Sequence, residues 1–257
     1  MMTGAVQSER IGGAALWLLD NVRKNNALDP GMFATLDELA AEVEQDRSIR
    51  AVVVAGKGER AFCAGADIAT WGVLDPVDFM RTWIASGHRL FDRVAALPVP
   101  VFGALRGFVF GGGLEFAAAC DIRVASPDTV FGLPEATIGV TPGWSGAQRV
   151  GRLMPQALLR EMALAGARLS AERMCGVGFV NEIAPAPIER CLEIAERTTE
   201  FAPRAVAATK LVLNAGAGES REQAIDQLAG ALVAATGDKA EGVRSFLEKR
   251  KPRFKGD

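Results

Sequence analysis

Two short apolar runs constrain this 257-residue chain more than any other feature: "RAVVVAG" at 50–56 and "VPVFGALRG" at 99–107. Each is too brief for a buried helix, lacks the polar alternation of a half-exposed strand, and ends at a glycine. Such runs are strands buried on both sides, so the fold must place a layer above and below them. Candidate layers follow from the pattern. "PGMFATLDELAAEVEQD" has Pro30 in the first helical position after an Asp29 cap, and it gathers Phe33, Leu36, Leu39, Ala40 and Val43 on one face. A second long helix is predicted over 76–96. "AVQSERIGGAALWLLD" reads as two strands turning at Gly12-Gly13, and "DIRVAS" as another short strand. Strands and helices alternate to about 181–183 and only helices follow Pro187. The expected architecture is an α/β core at 1–189 with a helical region at 190–257. In that region "SREQAIDQLAGALVAAT" opens with Ser220 and carries Gln223 three residues later, the pattern of a capping box.

Composition removes several classes of function. The net charge of -2 gives no electrostatic reason to expect nucleic acid or an anionic membrane as partner. Cys63, Cys120, Cys175 and Cys191 show no C-x-x-C spacing and the chain has one histidine, so no metal site is expected. Buried thiols in a reducing compartment fit better. "GGAALWLL" is too short, and too promptly followed by Asp20, for a signal peptide. No stretch approaches the roughly 18 apolar residues of a membrane span. A cytoplasmic protein is the expectation. The lone His88 sits mid-helix in "ASGHRLFDRV", which suits a structural or surface histidine and leaves no nucleophilic triad. "GERAFCAGAD" lacks the Lys-Ser/Thr of a P-loop, and "GFVFGGGLE" lacks the dinucleotide-binding spacing.

Carboxylates and glycine-rich turns remain. Glu115 and Glu135 lie in apolar or glycine-rich sequence, and a buried carboxylate is costly unless paired or hydrogen-bonded. Burial raises its pKa, which suits acid–base work near neutrality. The competing reading pairs each with an arginine, Arg106 or Arg149. The turns favour chemistry. "FCAGAD" and "FGGGLE" each follow a buried strand and lead into a helix, whose first N–H groups lack internal partners and can stabilise an oxyanion.

Together, "AFCAGADI", "GFVFGGGLEFAAACDIRVAS", "FGLPEATIGVTPGWSGAQRV" and "EGVRSFLEKRKPRFKGD" resemble the crotonase superfamily, most closely its enoyl-CoA hydratases, from about Val6 to Lys255. The resemblance implies a spiral of ββα turns with a C-terminal helical region used for trimerisation, often as a dimer of trimers. It implies that the N–H groups of Ala66 and Gly112 form the oxyanion hole and that Glu115 and Glu135 are the catalytic pair. It places Ala64, Asp67, Ile68 and Trp144 at the substrate, with Arg23, Phe246 and Lys249 toward coenzyme A. The implied reaction adds water to a 2-enoyl-CoA without metal or redox cofactor, coenzyme A being part of the substrate. Isomerase relatives typically keep only the glutamate matching Glu135, so retention of both favours hydration. Relatives that use a tyrosine hydroxyl are disfavoured, because the chain has no tyrosine. Trp144 departs from the "PGAGGTQR"-like pattern, either as packing or as a residue shaping the acyl pocket. The basic "KRKPRFK" tail admits an RNA-binding alternative, although a solvated tail or a phosphate contact suits the acidic chain better.

Overall fold

A computed structural model describes residues 3–257. Ala5–Ile11 (β1) and Ala14–Asp20 (β2) form the expected hairpin, with Ile11 opposite Ala14 across the glycine pair. Pro30–Gln45 (α1) follows, the Asp29 side chain accepting the Met32 N–H. From there the chain alternates between two sheets. Ala51–Gly56 (β3), Val101–Leu105 (β5) and Ile122–Ala125 (β7) enter one; Ala61–Cys63 (β4), Phe108–Phe110 (β6) and Val130–Gly132 (β8) enter the other. Leu169–Ser170 (β9) and Glu182–Ile183 (β10) complete them, giving the orders β1-β2-β3-β5-β7-β10 and β4-β6-β8-β9. All pairings are parallel except β1–β2 and β8–β9. Each lap lays one strand in each sheet before a helix returns the chain. This is the spiral of ββα turns that the resemblance implied.

The two apolar runs supply β3 and β5; β5 is buried throughout, and β3 at every residue but its last, Gly56. On one face Val52 and Val54 join Trp17, Leu36, Phe91 and Phe116 in the main core. On the other, Val53, Phe102 and Ala104 pack with Cys191 and Ala195 of the helix Pro187–Thr199. Full burial of a valine or phenylalanine stabilises by about 1.5–3 kcal/mol, and Val53→Asp would replace that with an unpaired charge between sheet and helix.

The helix expected over 76–96 is continuous but not uniform. Ile68–Trp71 (α2) precedes it; Pro76–Asp78 (α3) then runs through a π-helical turn at Phe79–Ile84 into Ala85–Ala96 (α4). The wider turn carries Trp83 into the core. By contacts the chain divides into two compact units, one ending at Ala207 and one spanning Ala208–Asp257. The division drawn from sequence at 189/190 falls inside the helix Pro187–Thr199, whose Cys191 and Ala195 belong to the sheet's second apolar layer.

In the second unit the expected capping box does not form. Ser220 precedes the helix Arg221–Ala234 in the left-handed region (φ 47, ψ 39), and its side chain caps nothing. A serine cap needs extended backbone to aim Oγ at the first-turn amides. Thr236 has it and accepts the Lys239 N–H ahead of Gly237–Leu247. The basic tail folds back on that helix: Arg250 binds Glu241, and the N–H groups of Lys255 and Gly256 donate to Asp238. Among the described residues no helix is long and apolar enough to cross a membrane.

Candidate active site

The glycine cluster is explained by contact. Gly111 takes φ 53, ψ -124, a backbone that a side chain would strain, and turns β6 directly into the helix Gly112–Ala119 (α5). A Cβ on Gly113 would overlap the Cys63 carbonyl at the end of β4, so the first turn of α5 sits against the 63–67 loop. Within that loop, a Cβ on Gly65 would lie 3.3 Å from the Gly112 nitrogen. Two strand-to-helix turns, distant in sequence, thus meet backbone to backbone.

Their amides are sorted with consequence. Ala64 N–H donates to Asn25 at 2.9 Å, Asp67 N–H to Leu28 at 2.8 Å, and Gly111 N–H to Gly132 at 3.0 Å. Among the described residues the N–H groups of Ala66 and Gly112 donate to nothing. Gly112 also opens α5, so the helix dipole adds to its donor. Two unclaimed N–H groups on adjoining turns are free to donate to an oxygen brought between them.

Glu115 follows one turn into α5 and is 2% exposed. Its Oε1 accepts the Trp144 and Gly146 N–H groups, both at 2.7 Å. Between these donors Ser145 adopts a left-handed backbone (φ 73, ψ 14), which costs a non-glycine residue about 1–2 kcal/mol. Burial pushes the Glu115 pKa up to about 7; the Trp144 N–H opposes this, the charge of Glu135 adds to it, and the Gly146 N–H and Arg149 charge oppose it.

Glu135 opens the 3-10 turn Glu135–Ile138, and its Oε1 would lie 3.0 Å from a Cβ on Gly111. Its Oε2 is buried with no hydrogen-bond partner. Burial raises its pKa, opposed by its own backbone N–H. Each glutamate therefore keeps an oxygen unclaimed close to the turns that carry these amides, and two such carboxyls favour sharing a proton or a water over both ionising. Neither arginine weighed as a partner forms an ion pair with them. Arg106 binds Glu59 and the Pro185 carbonyl, and Arg149 binds Asp92 at 2.7 Å.

The other expected residues fall into three groups. Arg23 is exposed in the 3-10 turn Val22–Lys24, and that segment leans on the 63–67 loop through the Asn25 and Leu28 carbonyls. Half-buried Ala64 and exposed Ile68 flank Ala66 there. Asp67 is committed elsewhere: it caps α2 at Ala69 and binds Lys24 at 2.5 Å, which fixes the loop that carries Ala66. Trp144 is 3% exposed, its indole wedged against the Gly112 and Gly87 α-carbons among Phe33, Trp83 and Phe91. Its ring nitrogen finds no hydrogen-bond partner. Phe246 and Lys249 lie in the second unit, Phe246 82% exposed. Sequence reasoning missed the Glu115 cradle altogether. Its one trace in the sequence is "WSG", where Ser145 holds a backbone that glycine takes more readily.

Known proteins match this chain over nearly its whole length. A family model described as enoyl-CoA hydratase/isomerase matches residues 10–257. The short-chain-enoyl-CoA hydratase of Clostridium acetobutylicum is 32% identical over 247 residues, covering 95% of this chain and 94% of that protein. The (E)-benzylidenesuccinyl-CoA hydratase of Thauera aromatica is 34% identical over 236 residues, 90% and 91% of the two chains. The solved structure of an enoyl-CoA hydratase from Bacillus anthracis superposes with a TM-score of 0.81 at 29% identity, covering 98% of this chain and 99% of that one.

Proposed function

The chain belongs to the enoyl-CoA hydratase/isomerase family, and from that premise we propose that it adds water across the C2–C3 double bond of a 2-enoyl-CoA thioester. The observation that carries the reading is the pair of glutamates, each with an unclaimed oxygen, beside two unclaimed N–H groups. The thioester oxygen accepts from Ala66 and Gly112, which draws electron density from C3 and stabilises the enolate-like transition state. A water held between Glu115 and Glu135 attacks C3. Glu115, fixed through Oε1, takes a proton from the water, and Glu135 serves delivery of a proton to C2. The water oxygen bonds to C3, C2 gains the hydrogen that Glu135 gives up, and the proton taken by Glu115 passes to Glu135, which restores the starting protonation.

This chemistry calls for no metal or redox cofactor, since the polarising charge comes from backbone dipoles. Coenzyme A is the substrate's handle. Arg23 supplies positive charge for its phosphates, and Ala64 and Ile68 border the thioester. Trp144 bounds the acyl group. Phe246 and Lys249 complete the coenzyme A contact in a homotrimer or dimer of trimers, consistent with the exposed Phe246. The test is a panel of short, long and aromatic 2-enoyl-CoAs, followed by loss of enoyl-thioester absorbance. Hydration of at least one member supports the reading; a chain inert on all of them, or one that only moves the double bond, refutes it.

A further inference from the structure

We infer that His88 is a positioning residue for Glu115: it tethers Ser145 in the left-handed backbone that aims two N–H groups at the carboxylate. The inference rests on the reading of Glu115 as a proton-transfer group. A left-handed residue between two amides turns both toward a common side, so the N–H groups of Trp144 and Gly146 meet on Oε1 only while Ser145 holds φ 73. Glycine would rest there without help; serine needs a reason.

The reason is a closed ring of four residues between α4 and the turn. Ser145 Oγ lies 3.1 Å from Nδ1 and 3.3 Å from Nε2 of His88, the chain's one histidine. His88 Nδ1 is 3.0 Å from Oδ2 of Asp92, one helical turn onward. The other Asp92 oxygen accepts from Arg149 at 2.7 Å, and the Arg149 N–H returns to the Ser145 carbonyl at 2.7 Å. Asp92 favours the tautomer with hydrogen on Nδ1, which makes Nε2 the ring's acceptor, and the Ser145 hydroxyl rests within 3.3 Å of both ring nitrogens. Asp92 and Arg149 are the charges facing His88 in this ring, while Glu115 faces Glu135 and Arg149. Mutation of His88 therefore acts on Glu115 through the backbone of residues 144–146 and not through substrate.

The test is a cycle of His88→Ala and Ser145→Gly, read by steady-state kinetics on an enoyl-CoA and by carboxyl ¹³C titration of Glu115. Alone, His88→Ala lowers kcat about tenfold at unchanged KM, as the aligned cradle becomes a minor population. The Glu115 titration moves to higher pH, because the N–H donors that oppose its rise are lost. Introduced into Ser145→Gly, the same change alters kcat by less than about twofold and leaves the titration in place, since glycine needs no tether. His88→Gln, whose amide can bond both neighbours, keeps kcat within about threefold of the parent, and it stands in for His88→Ala against His88→Leu if the alanine variant does not fold. Equal effects of His88→Ala in both backgrounds, or an unmoved titration in the single variant, would overturn the inference. Titration needs no turnover, so an enzyme inert on every thioester would refute the hydration reading while this cycle still decides the role of His88.

Discussion

Glu115 is held where ionisation is expensive for the fold. Its pKa is raised from 4.5 to about 7, chiefly by burial. The stability linked to the group is thus fully present below about 4.5 and is lost as pH rises through about 7. Glu115→Gln keeps the shape and removes the charge. It should stabilise the protein by on the order of 1–3 kcal/mol at pH 8 and by much less at pH 5. Denaturant unfolding of both proteins at the two pH values checks this, and an equal difference at each would contradict it. The same titration gives the activity an acidic limb, because a base that takes a proton from water must first be ionised.

At the scale of elements, what was legible is what short-range chemistry decides. The Gly12-Gly13 hairpin, the buried strands β3 and β5, and α1 with its Asp29 cap depend on neighbours in sequence, and all stand where the pattern put them. The glycine turns were legible too, because pliable backbone between a buried strand and a helix has few other uses. The π-turn at Phe79–Ile84 was not, since apolar spacing does not register one extra residue per turn. Nor was the Glu115 cradle, whose bonds span 29 and 31 residues, or the His88–Ser145 contact across 57. Ser220 shows the converse: a local capping signal overridden by the backbone of the preceding turn. Trp144 joins these levels, its amide gripping Glu115 while its indole fills the space between Gly87 and Gly112. Trp144→Ala should lower stability by about 3–5 kcal/mol and shift kcat/KM about tenfold or more toward longer or aromatic enoyl-CoAs. A uniform loss across the panel would reduce the indole to packing alone.

For the whole molecule, the second unit carries more apolar surface than it covers. Ile225, Leu228, Leu232 and Val233 of Arg221–Ala234 are all exposed, with Leu232 at 73%. Contiguous apolar surface of this kind marks association, and a second copy of the chain, as in the proposed trimer, is the partner it suits. Replacing Leu232 and Val233 together by lysine should lower the mass seen by light scattering and weaken affinity for coenzyme A. An unchanged oligomer would remove these side chains from the interface.

The proposed reaction has two carboxylates divide the handling of one water. It is tested most directly by kcat/KM for crotonyl-CoA hydration in the parent, Glu115→Gln and Glu135→Gln, each checked for folding and coenzyme A affinity. Both variants should bind coenzyme A nearly as the parent does and lose about 10²–10⁴-fold in hydration. Near-parental turnover in either variant would contradict the claim, and tolerance of Glu115→Gln alone would point to double-bond isomerisation by Glu135.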